Sequence, residues 1–217
     1  MDKLNEIIEG IRTDLTATNT VRDLTLRRSR ELIRLCANTI RAIHRAEFDN
    51  AAALLAQTHQ AATEMTQEIK DYPELYHTGY TQDALKEYVE ANATFALITD
   101  SPLPSPQELH VEHAAYLKGL AEAASELRRH ILDIIRHGHS ERAEHLLEHM
   151  DNIYSHLITI DFPDAITKGL RRTTDILRAV LERTRGDLTT SLRQAQLQAA
   201  LQSLEEKLQL DENSDES

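Results

Sequence analysis

Chain breakers are few in this sequence, and they cluster. Six glycines and five prolines in 217 residues are about 5%, where a globular chain carries roughly 12%, so there is little material for turns. Three of the prolines stand together in SPLPSP, Ser101–Pro106, a stretch that cannot be helical. What remains is long uninterrupted segments. Strands are excluded as their content, because aromatic residues make up 4% of the chain and there is no Trp, whereas strands draw on β-branched and aromatic side chains. The chain is expected to be all-α.

Apolar spacing locates the helices. Leu4, Ile7, Ile8, Ile11 and Leu15, then Leu24, Leu32, Ile33, Cys36, Ile40 and Ile43, predict a first helix over 2–46 with a hitch at Thr16–Thr20. A second is expected over 49–71, capped by Asp49 or Asn50. A third starts at Pro73, since proline suits a first turn, and reaches Thr99. A fourth covers 106–136, closed by Gly138, and a fifth covers 140–159, ahead of Pro163. The last, over 164–210, has Gly186 as its join and Asp187 as the next cap. The expectation is one domain over 1–210, a six- or seven-helix antiparallel bundle, with DENSDES (211–217) as a disordered acidic tail. A first helix of ~45 residues is a rod of nearly 70 Å. Its surplus apolar stripe implies a homo-oligomer.

A single cysteine, Cys36, fits a reducing compartment. No apolar run is long enough to span a bilayer, and MDKLNEIIEG lacks the apolar core of a signal peptide. A soluble cytoplasmic protein is expected, with no membrane association. The net charge of −12 disfavours nucleic acid as a partner, but the charge is uneven. Between Arg22 and Arg45 there are seven arginines against Asp23 and Glu31. Arg27, Arg30, Arg34, Arg41 and Arg45 follow helical spacing and line one side of the first helix. Guanidinium forks suit phosphate oxygens; pairing with the chain's excess acids is the alternative fate of such a row.

Chemistry has few places to sit. There is no phosphate-binding glycine loop, and Cys36 lies on an apolar stripe as a core residue. His145 and His149 share a helical face beside Glu148, but a metal site needs a third ligand that the sequence does not identify. HLLEH is also not HExxH, so the pair reads as a solvated polar face, as do His110 and His113. Carboxylates are more informative. Glu87 and Glu90 are three apart on the third helix, and Glu122 and Glu126 are four apart on the fourth. Both pairs point away from the apolar stripes. If the two helices are antiparallel neighbours across SPLPSP, the pairs lie at comparable heights. Four converging carboxylates raise one another's pKa, which a Mg²⁺ or Mn²⁺ with oxygen ligands relieves. One residue in six is acidic, however, and such pairs also arise on solvated faces.

Several stretches carry a family resemblance. YHTGYTQDALKEYVEA (Tyr76–Ala91) resembles the motif helix of the translin superfamily, in the form of translin-associated factor X and its archaeal relatives. AAYLKGLAEAASELRRH (Ala114–His130), FPDAITKGLRRTTDILRAVLERTRGDLT (Phe162–Thr189) and SRELIRLCANTIRAIHRAEFDNA (Ser29–Ala51) are similar to further family helices. The resemblance runs in order from about Arg22 to Leu197. It implies a hollow, all-helical homo-octamer that binds single-stranded RNA or DNA within its shell. The associated-factor type adds a Mg²⁺-dependent endoribonuclease with four acidic residues, which fall here on Glu87, Glu90, Glu122 and Glu126. Glu122 stands where the family typically has Asp. The paired histidines of translin itself are not matched, His77 standing alone, which favours the catalytic branch. A non-catalytic shell holding single-stranded RNA or DNA is the alternative.

Overall fold

The computed structural model describes residues 2–138 and 140–215, the side chains of Ser140 and of 208–215 excepted. Among them there are eight helices and no strand. These are α1 (Asp2–His44), α2 (Phe48–Glu68), α3 (Pro73–Tyr76), α4 (Gly79–Thr99), α5 (His113–Ile135), α6 (Ser140–Leu157), α7 (Asp164–Thr167) and α8 (Leu170–Asp215). The sequence leads to six or seven; α3 and α7 are the difference, each a single turn.

Most departures from the expected boundaries have local causes. The hitch at Thr16–Thr20 is absent, because Thr13, Thr16 and Thr20 donate their hydroxyls to the carbonyls of Glu9, Arg12 and Thr16 within the helix. The third expected helix splits at His77–Thr78, where the Thr78 and Thr81 hydroxyls both donate to the Leu75 carbonyl. α2 begins at Phe48 after Glu47, and Asn50 donates to the Glu47 carboxylate rather than capping the helix. α5 starts at His113, seven residues after the expected Pro106, since Ser105 and Glu108 close a local turn and Leu109 and Val111 plug the core. Gly186 is no join. α8 runs through it, held on either side by buried Thr184 and Leu188, and Asp187 pairs with Arg128 instead of capping. The backbone of α8 stays helical to Asp215, into the segment expected to be a disordered tail; Glu216 and Ser217 lie outside the described residues.

α4 and α5 form the centre of the bundle. On one side Leu85, Tyr88 and Val89 of α4 meet Leu32 and Cys36 of α1 and Met65 of α2. On the other, Leu127 and Ile131 of α5 meet Leu146 and Met150 of α6 and Leu177 and Leu181 of α8. Alanine is common at these contacts: Ala84, Ala91, Ala93, Ala115, Ala121, Ala123 and Ala124 are all buried. Small side chains let helix backbones approach closely, and that closeness shapes the site. The first turns of α1 and the last of α8 extend past the bundle, leaving Leu4, Ile7, Ile8, Ile11 and Leu15, and Leu197, Leu201 and Leu204, exposed. No helix among the described residues is long and apolar enough to cross a membrane.

Candidate metal centre

α4 and α5 are in tight contact at Gly119. A Cβ there would stand 2.6 Å from both the Lys86 carbonyl oxygen and the Val89 Cβ, so no other residue fits this helix–helix contact undisturbed. One turn of α5 beyond it lies Glu122, and Glu87 and Glu90 lie on the facing turns of α4. Carboxylate oxygens of Glu87, Glu90 and Glu122 all fall within 4.8 Å of one another. The comparable heights expected across SPLPSP are found for Glu87, Glu90 and Glu122.

Glu126 stands outside that trio. It is held by the Nε2 of His44, on α1, at 2.8 Å. The His44 side chain is 1% exposed, and its Nδ1 has no hydrogen-bond partner. Nor do both pairs point away from the apolar stripes. Glu90 is only 8% exposed, on a helix packed against both α1 and α5.

The electrostatics follow from this burial. The Glu90 carboxyl is pushed up to about 8, first by burial and then by the charges of Glu87, Glu122 and Glu126, with Lys86 pulling the other way. Lys86 is the resident cation, its ammonium 3.0 Å from Glu87 and 2.5 Å from Glu122. Burial pulls its pKa down, but hydrogen bonds and charge from Glu122 and Glu87 outweigh that and leave it above the ordinary lysine value. Burial, with Glu87 and Glu90 adding to it, raises the Cys36 thiol well out of the reactive range, as its place on an apolar stripe implies.

This donor set suits a hard divalent cation. It offers only carboxylate oxygens, gathered within a few ångströms and partly shielded from water, and one monovalent ammonium does not balance them. Glu87, Glu90 and Glu122 would hold such an ion, with Glu126 at the edge. Sequence reasoning missed three contributors: Lys86, His44 and Gly119. Gly119 had a signal, as a lone glycine inside a helical pattern; Lys86 is the only cation between His77 and Lys118. His44 had none.

The arginine row takes a different position. Arg27, Arg30, Arg34, Arg41 and Arg45 are all exposed and span about 60° of arc at 100° per residue. Arg27, Arg30, Arg34 and Arg41 lie opposite the face of α1 that buries Thr25, Ser29, Leu32, Cys36, Thr39 and Ile43, and Arg45, expected on the same helix, falls in the turn just past its end at His44. Among the described residues none of the five forms an ion pair, whereas Arg28, on another face, pairs with Glu64 and Glu68 of α2. The expected alternative of pairing with intrachain acids is therefore not taken up. Arg41 and Arg45 line a polar depression of about 350 Å³ with Asn38, Glu47 and Asn50. A single protomer does not bring the row onto the carboxylates.

The chain matches no protein-family model. It is 30% identical over 208 residues to an uncharacterised protein of Methanocaldococcus jannaschii, covering 93% of this chain and 88% of that one. It is 32% identical to AfC3PO, a C3PO protein of the translin family, whose crystal structure superposes with a TM-score of 0.81 over 88% of this chain and 98% of the other. The chain belongs to the translin superfamily. The translin fold extends to NeC3PO, similar with a TM-score of 0.77 at 22% identity, over 85% of this chain and 96% of that one. AfC3PO has also been solved in complex with duplex RNA.

Proposed function

We propose that this translin-superfamily chain is a cytoplasmic, Mg²⁺- or Mn²⁺-dependent endoribonuclease that cleaves single-stranded RNA inside a hollow homo-octameric shell. The observation that carries the reading is the convergence of Glu87, Glu90 and Glu122 from two helices. The similarity to AfC3PO, which binds duplex RNA, supports RNA as the ligand.

Glu87, Glu90 and Glu122 would hold the cation, Glu90 as its carboxylate. When bound, such an ion would supply Lewis-acid polarisation of the phosphodiester and lower the pKa of water. Lys86 gives up its bridge to Glu87 and Glu122 and turns its charge to a phosphate oxygen. Glu126, oriented by His44, would take the proton of the attacking water as its oxygen bonds to phosphorus, while the P–O bond to the leaving ribose oxygen breaks and that oxygen takes a proton from solvent water. The exposed guanidinium groups of Arg27, Arg30, Arg34, Arg41 and Arg45 position the RNA backbone where the shell brings them near a site. Exposed apolar faces on α1 and α8 supply contact area for that assembly.

The second reading, a non-catalytic holder of single-stranded RNA or DNA, is favoured by one feature. Lys86 already bridges two of the carboxylates and could serve as a permanent counter-ion. Cleavage of a labelled single-stranded RNA in Mg²⁺ and in EDTA, beside the Glu87→Gln and Glu122→Gln variants, separates the two. The nuclease cuts only with metal and with both glutamates intact. Binding without cleavage in every lane would leave the holder.

A further inference from the structure

A second group of metal-ligating side chains lies at the other end of α4. Asp100 is its C-cap, with a left-handed φ of 54°, and its backbone N–H donates to the Ala96 carbonyl. That backbone turn points the carboxylate at α6, where His145 and His149 stand one turn apart with ring centroids at 4.4 Å. Both imidazoles converge on a single oxygen. His145 Nε2 is 3.2 Å from Asp100 Oδ1, and His149 Nε2 is 3.9 Å from the same atom. The three donor atoms lie within 4.8 Å of one another.

We propose that Asp100, His145 and His149 form a binding site for a nitrogen-preferring divalent transition-metal ion, zinc in the first place. As a set of protein–protein contacts the group is incomplete, because the His149 nitrogen at 3.9 Å is too far to be hydrogen-bonded. As a ligand set it is nearly formed. Bonds of about 2.0–2.1 Å in a tetrahedral zinc site put neighbouring donor atoms roughly 3.3 Å apart, against 3.2 and 3.9 Å from Asp100 Oδ1 to the two imidazole nitrogens here. Two histidines and a carboxylate are a zinc donor set that leaves one position open, and the partial exposure of all three side chains leaves room for water or a fourth ligand there.

The carboxylate also has the outer support such sites use. Arg142 Nη1 donates to Oδ1 and Oδ2 of Asp100 at 2.9 and 2.7 Å, and its Nη2 donates to the Ile98 carbonyl at 2.6 Å. Arg142 is thus tied to the backbone of α4 and fixes the plane of the carboxylate from behind. The site is distinct from the carboxylate trio. Ten residues of helix, about 15 Å, separate Glu90 from Asp100, and imidazole donors select a softer cation than carboxylates do. An ion held here would tie the C-terminal end of the Glu87–Glu90 helix to α6.

Cobalt(II) absorption is the test, with the full chain in excess Mg²⁺ so that the carboxylate trio is occupied. The site predicts one saturable equivalent of Co²⁺ per chain, with the intense visible band of a four- or five-coordinate nitrogen-ligated ion, displaced by stoichiometric Zn²⁺. His149→Ala and, separately, His145→Ala should each weaken binding at least about tenfold with an unchanged helical circular-dichroism spectrum, while Glu87→Gln/Glu122→Gln should retain the band. No saturable band, or a band that survives both histidine substitutions, would overturn the proposal.

Discussion

The carboxylate trio and the arginine row are both charge clusters read from helical spacing, yet the bundle treats them oppositely. The trio is drawn inward. A glycine contact brings two helices together, α1 packs against α4 from another side, and burial pushes Glu90 up to about 8. The row is left on the outer face of α1, with no ion pair for any of its five members among the described residues. A buried like-charge cluster is costly and calls for a compensating ion in each protomer. An exposed row carries little cost, and its use depends on what is brought against it. The two should therefore fail in different ways: the first through metal and catalysis, the second through affinity and salt.

Substitution of the trio gives the largest contrast. Glu122→Gln should lower cleavage by about a thousandfold or more, the effect of losing several kcal/mol of metal-assisted stabilisation, while RNA affinity changes less than about twofold. A titration of binding beside single-turnover cleavage checks it, and parallel loss of both would erase the distinction between the regions. Gly119→Ala comes next. Its Cβ meets the Lys86 carbonyl and Val89 at 2.6 Å, so overpacking should cost about 1–3 kcal/mol, and a shift of α5 should reduce cleavage as well. Thermal unfolding with activity assays reads both, and an unchanged Tm would mean that the contact is slack.

Glu90 sharpens the comparison through pH. Its folded pKa of about 8 lies above the unfolded value of 4.5, so the metal-free folded state holds a proton that the unfolded state releases. Stability from this group is intact below pH 4.5, falls as pH rises towards 8, and levels off above it, a loss on the order of 5 kcal/mol. Mg²⁺ binds the ionised form, so its stabilising effect should be greater at about pH 8 than at about pH 5. Glu90→Gln should flatten the metal-free dependence. Denaturant melts at the two pH values, with and without Mg²⁺, measure this.

The smallest effects per residue belong to the row. Replacing Arg30, Arg34 and Arg41 by Gln should weaken RNA binding and reduce the slope of log affinity against log salt by about 0.7 for each phosphate deprived of its guanidinium. Stability and the Mg²⁺-dependent rise in Tm should be unaffected.

Much of this was legible in the residues. Scarce glycine and proline determined the helical class, and SPLPSP marked the reversal that sets α4 beside α5 and brings Glu87, Glu90 and Glu122 together. Other features were hidden because they are tertiary. Glu90 reads as solvated until α4 is seen packed between α1 and α5, and Glu126 reads as a fourth member of the cluster until His44 takes it. Asp100 and the histidines of α6 are more than forty residues apart, and only the fold places them side by side. Thr16–Thr20 and Gly186 misled in the other direction, as local helix-weakening residues overridden by back-bonded hydroxyls and by packing on both sides.

The most direct measurement is a Mn²⁺ titration followed by electron paramagnetic resonance, with cleavage rates taken on the same samples, for the wild-type chain and Glu122→Gln. If the trio holds the ion that cleaves RNA, bound Mn²⁺ and rate rise together in the wild type, and Glu122→Gln loses both. Cleavage that persists in Glu122→Gln, or Mn²⁺ bound at the trio without any cleavage, would contradict that assignment.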